Sequence, residues 1–159
     1  ERLPETWCMS SRHLHRGRFS RPGSVYVLTT VTRARCPVFE VSSNAAIVVD
    51  CLRDIERAGI SHTFAWVVMP DHVHWLLQLR QGTLGACMQR FKSRSSRLIG
   101  QAAGSASRLW QPSYFEHALR SDESLLKQAR YIAANPVRAG LVDRLGLYPF
   151  AWCRWSMDP

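Results

Sequence analysis

The sequence predicts an α+β domain of the ferredoxin-like kind: an antiparallel sheet with helices on one face and an added C-terminal helix that carries a tyrosine. Three observations carry that prediction. Segments 24–32, 62–69 and 72–79 are dense in β-branched and aromatic residues and read as strands. Segments 45–58 and 84–99 have apolar residues at helical spacing. The resulting order, β-α-β-β-α-(β)-α, belongs to antiparallel α+β folds rather than to alternating parallel units. A length of 159 residues fits one domain, and 46% apolar residues can fill its core.

Each element has its own justification. Residues 1–23 are polar, basic and aperiodic, ending in Pro22-Gly23, and read as an N-terminal arm. Segment 24–32, SVYVLTTVT, is the first strand, and 33–37 is a turn. Asn44 is the expected cap of the first helix, whose stripe is Ile47, Val48, Cys51, Leu52 and Ile55, and Gly59 ends it. Pro70-Asp71 is a tight turn that makes a hairpin of 62–69 and 72–79. In the second helix, Met88, Phe91 and Leu98 gather on one side, with Gln89, Arg90, Lys92, Arg94 and Arg97 mostly around the other. Residues 100–107 are small and polar, a linker, and 113–118 is a weak strand. Ser121 is the expected cap of a helix over 122–135, stopped by Pro136. The domain is expected over 24–150, with 151–159 as a C-terminal tail.

Charge narrows the function. The chain carries a net charge of +9, from 19 Arg and 2 Lys against 12 acidic residues. Arginine is the better bidentate partner of phosphate and of guanine edges, so nucleic acid is the first partner to consider. A GC-rich genome also favours Arg over Lys, but it does not explain the positive excess. No segment approaches the roughly 18 apolar residues of a membrane span. The start at Glu1, without a long apolar run, is expected to reflect a trimmed or processed chain rather than a signal peptide. Five scattered cysteines without a CxxC pair predict free thiols in a reducing compartment.

Two constellations carry chemistry. His72 and His74 stand two apart on a strand, so both imidazoles point to one face, opposite Val73 and Trp75. Two neutral imidazoles side by side suit a divalent metal, which needs at least one further ligand. Such pairs are also common on strands without metal. Lys127, Tyr131 and Asn135 recur every four residues on the last helix and would share one face. A tyrosine beside a metal is a candidate nucleophile toward a phosphodiester, with the Asn135 amide oxygen as a candidate third ligand and Lys127 as support for phosphate charge. Read without the histidines, Tyr131 is a half-buried helix aromatic and Asn135 a helix terminator.

The segments MPDHVHWLL (69–77), WQPSYFEHALR (110–120) and ARYIAANPVRAGLV (129–142), in that order, closely resemble the REP-associated tyrosine transposases of the HUH endonuclease superfamily. The likeness runs from about residue 24 to 150, and the basic arm resembles the segment before that family's first strand. The resemblance implies that His72 and His74 bind Mg²⁺ or Mn²⁺ and that Tyr131 is the nucleophile. It places Asn135 where relatives carry a polar third ligand, typically Gln in the insertion-sequence branch. Asp71 stands where the family often has Asn, and is not expected to replace a ligand. The implied activity is cleavage of single-stranded DNA beside a repetitive extragenic palindrome hairpin, through a covalent 5′-phosphotyrosine. Arg12, Arg16, Arg18, Arg90, Arg94 and Arg97 are the DNA-contact candidates. The implied setting is the bacterial cytoplasm, at the nucleoid. A monomer is expected, although insertion-sequence relatives are dimers that share active sites. Two other readings remain open: a hairpin-binding protein of the same fold with little or no cleavage, and a metal-dependent hydrolytic nuclease.

Overall fold

A computed structural model describes residues 20–120 and 124–156. Its elements are β1 (Val25–Val31), α1 (Ser42–Arg57), β2 (Ser61–Met69), β3 (His72–Leu79), α2 (Leu84–Ala103), β4 (Phe115–Ala118), α3 (Leu125–Ala133), α4 (Asn135–Arg138) and β5 (Ala151–Cys153). The strands form one antiparallel sheet in the order β4-β1-β3-β2-β5. The α+β fold class is therefore as expected, and the weak fourth strand is real.

Alternation along the strands sorts the core into two layers. Leu28, Trp66, Val68, Val73, Trp75, Leu77 and Leu79 face one side and pack with Val48, Leu52 and Ile55 of α1 and Met88 and Phe91 of α2. Ala65, Val67, Met69 and Leu76 face the other, where Ala129 and Ile132 of α3 cover them. The first two helices thus share one face and the added helix takes the opposite one. Trp110, from the WQPSYFEH segment, is core: it lies 5.4 Å from Phe39 and 5.6 Å from Phe91, centroid to centroid. Its indole N–H donates to Ser95 Oγ at 2.9 Å, which satisfies a buried polar group on each side.

Several boundaries differ from expectation for local reasons. α1 begins three residues early, and Asn44 sits inside its first turn, where its side-chain amide donates to the Val38 carbonyl. α2 continues through Ala103 into the expected linker, because Gly104 at φ +61° supplies the left-handed stop only there. Ser124 caps α3 by accepting from Lys127 N, while Ser121 lies outside the described residues. The expected tail is corrected: Ala151–Cys153 pair with Ala65–Val67 of β2, so the sheet extends past residue 150. The four described cysteines, Cys36, Cys51, Cys87 and Cys153, are unpaired thiols.

Lys92 ties α2 to the chain entering β4. Its ammonium donates to the carbonyls of Gln111 at 2.6 Å and Ser113 at 2.7 Å. Burial pushes its pKa down to about 8. The unfolded chain holds this proton up to its ordinary value of 10.5, so unfolding takes up a proton between those two values. Stability contributed by this site therefore rises with pH across that window. Urea unfolding of wild type and Lys92→Met should show a stability difference that moves in favour of wild type from about pH 8 to about 10.5. A difference that stays flat over the window would mean that Lys92 does not titrate there.

Candidate functional site

The histidine pair is set by the register of β3. Thr29 and Val67 flank His74, and Val31 and Met69 flank His72. Both imidazoles therefore lie on the α3 side of the sheet, with ring centroids 4.8 Å apart and planes at 81°. Nδ1 of His74 is 2.7 Å from Thr29 Oγ1. Nδ1 of His72 is 2.6 Å from Asp71 Oδ1. With each Nδ1 engaged, Nε2 of each ring is the nitrogen free to hold an ion. Burial, and then the charges of His72 and Arg138, push the His74 pKa down to about 3. A neutral imidazole is the form that ligates metal. Burial pushes the Asp71 carboxyl up, but the hydrogen bonds and charges of His72 and Arg35 outweigh it and hold the group below its usual range.

The donor set fits a divalent cation with two protein nitrogens. Among the described residues no third His, Cys, Asp or Glu completes a cluster with them. Asn135 remains the candidate third donor. It is half-buried, and no hydrogen bond engages its side chain among the described residues.

α3 brings the tyrosine to this face. Ala129, Ile132 and Ala133 are buried against the sheet, while Tyr131 is 60% exposed. The expected common face of Lys127, Tyr131 and Asn135 is interrupted. α3 ends at Ala133, and Asn135 opens α4 just before Pro136. The cation over the ring is Arg138, not Lys127. Its guanidinium carbon lies 3.8 Å from the ring centroid, and its Nη1 donates to the Tyr131 carbonyl at 2.9 Å. Arg138 also acts electrostatically on His74. Lys127 is exposed on α3. Sequence reasoning missed Arg138 because two turns of unbroken helix would set it about 10 Å along the axis from Tyr131, and the break between α3 and α4 is what shortens that span.

The remaining tyrosines have structural positions. Tyr26 is buried in the core under α1 and α2, and Tyr114 packs against that same core. The Tyr148 hydroxyl donates to the Val68 carbonyl at 2.9 Å, and burial raises its pKa. Tyr131 is the tyrosine that combines exposure with a place on α3.

The arginine candidates divide. Arg12, Arg16 and Arg18 lie outside the described residues. Arg90, Arg94 and Arg97 belong to α2, in the layer on the other side of the sheet from the histidines. Arg94 bridges the two helices, with Nη2 2.7 Å from Asp54 Oδ2 of α1. Arg90 and Arg97 are exposed. A groove of about 540 Å³, lined in part by Thr83, Met88, Lys92, Tyr114 and Glu116, also lies on the α2 side.

A family model described as "Transposase IS200 like" matches residues 22–135. A REP-associated tyrosine transposase of Escherichia coli (strain K12) is 34% identical over 89 residues, 55% of this chain and 51% of that protein. The chain spans about half the length of the curated relatives it matches. A solved structure of a REP-associated tyrosine transposase bound to a REP hairpin is similar at a TM-score of 0.69 and 25% identity, covering 84% of this chain and 79% of that one.

The Tyr131 hydroxyl makes no hydrogen bond among the described residues, so its removal should leave the fold intact. Thermal or urea unfolding of Tyr131→Phe should fall within about 0.5 kcal/mol of wild type, the usual range for an exposed change. A loss above about 2 kcal/mol would assign the hydroxyl a structural role.

Proposed function

The chain belongs to the IS200-like transposase family, and on that premise we propose that it cuts and rejoins single-stranded DNA beside a REP-type hairpin, using Tyr131 as nucleophile. The observation that carries this reading is the pair of imidazoles, 4.8 Å apart, on the sheet face that α3 packs against, with α3 carrying an exposed tyrosine under Arg138. The residues His72 and His74, with Asn135 as third donor, would hold Mg²⁺ or Mn²⁺. When bound, such an ion polarises a non-bridging oxygen of the scissile phosphate and offsets its charge.

The chain's own residues then do the following. Tyr131 Oη attacks phosphorus, a P–O bond to tyrosine forms, and the P–O3′ bond breaks. The phenol proton ends on the leaving O3′, so a 3′-OH and a 5′-phosphotyrosine result and no water is consumed. The planar guanidinium of Arg138, stacked over the Tyr131 ring, is suited to hold a phosphate oxygen. The mounting on α3, packed through Ala129 and Ile132, keeps the nucleophile in place for in-line attack. Lys127 is a further support for phosphate charge on the exposed side of α3. The basic arm, with Arg12, Arg16 and Arg18, and the exposed Arg90 and Arg97 would track the DNA backbone. Arg94 is the weakest of these candidates, because Asp54 already engages it. No helix of the described residues is long and apolar enough to cross a membrane. The proposed setting is the bacterial nucleoid. The proposed working unit is a monomer.

The test is incubation with a labelled single-stranded hairpin and Mn²⁺, read on a denaturing protein gel. Wild type should give a protein–DNA adduct that maps to Tyr131. Tyr131→Phe should bind the hairpin about equally and form none, and the His72→Ala/His74→Ala double variant should lose cleavage while keeping most binding. Cleavage by Tyr131→Phe with no adduct in wild type would favour hydrolysis by water instead. Hairpin affinity should also fall steeply with salt, each phosphate contact adding about 0.7 to 0.9 to the log–log slope. Replacing Arg16 and Arg18 by Ala should reduce that slope by roughly 1.5. Equal affinity for random duplex, or a slope near zero, would count against a hairpin substrate.

A further inference from the structure

Asp71 is the second residue of the two-residue turn between β2 and β3, next to His72. Its two carboxylate oxygens have separate partners. Oδ1 is 2.6 Å from His72 Nδ1, and Oδ2 accepts from Arg35 Nη1 at 3.0 Å. Its backbone is held as well. The Asp71 carbonyl accepts from Thr32 N at 2.8 Å and lies 3.0 Å from the Thr32 hydroxyl, and Thr32 is fully buried. The same hydroxyl donates to the Cys36 carbonyl at 2.8 Å, so Thr32 fastens the 33–36 turn to the Asp71 turn.

That first turn is unusual. Ala34 and Arg35 are successive non-glycine residues in the left-handed region, at φ 54° and 51°. L residues rarely adopt this conformation, and it persists where surrounding bonds impose it. Its consequence is to present Arg35 to the Asp71 carboxylate. An Asp left unpaired beside two imidazoles would be free to rotate and to compete as a direct ligand. Paired on one oxygen with Arg35, it offers the other as an acceptor aimed at His72 Nδ1. A carboxylate accepting from Nδ1–H selects the tautomer whose Nε2 carries the lone pair, and holds the ring plane. Thr29 Oγ1 lies 2.7 Å from His74 Nδ1, where a hydroxyl can serve either tautomer.

We propose that Asp71, braced by Arg35, is the positioning residue that keeps His72 in the Nδ1–H tautomer with Nε2 free to ligate a divalent cation. This rests on the reading of His72 and His74 as metal ligands, but the tautomer can be measured without metal. Lys or Gln could not replace Asp71, because the former lacks an acceptor and the latter is one carbon too long for the turn. Asn is only a partial replacement: with its amide oxygen accepting from Nδ1–H, its NH2 faces the Arg35 Nη1 donor and the brace is lost.

The experiment has two arms on the full chain. The first is ¹⁵N NMR of the metal-free protein at mildly alkaline pH. His72 should be in the Nδ1–H form in wild type and should shift toward Nε2–H in Asp71→Ala. The second is Mn²⁺ affinity by EPR of the free ion. Asp71→Ala should weaken binding by roughly 10- to 100-fold, the usual effect of removing such a partner. Asp71→Asn should recover only part of it, and Arg35→Ala should weaken it several-fold. Arg35 is half-exposed, so its removal leaves the fold in place even if Asp71→Ala does not refold. An Nε2–H His72 in wild type, or wild-type Mn²⁺ affinity in both Asp71→Ala and Arg35→Ala while His72→Ala loses it, would overturn the proposal. Unchanged Mn²⁺ affinity in His72→Ala and His74→Ala alike would instead overturn the ligand reading, leaving the tautomer result to stand or fall by itself.

Discussion

β3 is paired on both sides, to β1 and to β2, and its side chains alternate between two layers with opposite requirements. Val73, Trp75, Leu77 and Leu79 are all buried beneath α1 and α2. His72 and His74, from the same strand, fall on the other face by the period of two that fixes the first set. A slip of one residue in this register would bury two imidazoles under α1 and α2 and push Trp75 toward α3. The burial of Trp75 and its neighbours therefore holds the histidines in place as firmly as any contact they make themselves.

The sheet's second face carries the histidine pair beside its apolar layer. α3 lies over the apolar part, where Ala65, Val67 and Leu76 meet Ala129 and Ile132. Small residues at Ala129 and Ala133 let the helix sit close, while Tyr131 between them stays exposed. The break at Ala134 and Pro136 then turns the chain so that Arg138 returns over the ring. A continuous helix would have carried Arg138 away along its axis, so the proline supports the site through geometry rather than through any group of its own.

The polar partners of the two histidines come from different places. Thr29 reaches His74 across the β1–β3 pairing, whereas Asp71 reaches His72 from the hairpin turn. Thr32 links that turn to the strained residues Ala34 and Arg35, so the geometry around His72 depends on a loop forty residues upstream in the chain. The buried Thr32 hydroxyl sits between the Cys36 carbonyl of that loop and the Asp71 carbonyl of the hairpin turn, which couples the geometry around His72 to the core.

Local pattern determined a great deal of this protein. The strand period of 72–79 placed both histidines on one face, and the helical stripes of α1 and α2 and the antiparallel order follow from side-chain spacing alone. The motif segments around His72, Trp110 and Tyr131 also pointed to the family before any coordinates. The remainder needed the assembled molecule, because it depends on contacts between residues far apart in sequence. That α3 takes the face opposite α1 and α2 follows from which strand side chains remain uncovered. That Arg94 bridges to Asp54 while Arg138 lies over Tyr131 follows from how the helices are packed. The pairing of Ala151–Cys153 with β2 was invisible because three residues carry little periodicity of their own and become a strand only against an edge already formed. The Arg35–Asp71–His72 chain was hidden for the same reason: two left-handed non-glycine residues are chosen by tertiary hydrogen bonds, against their own local preference.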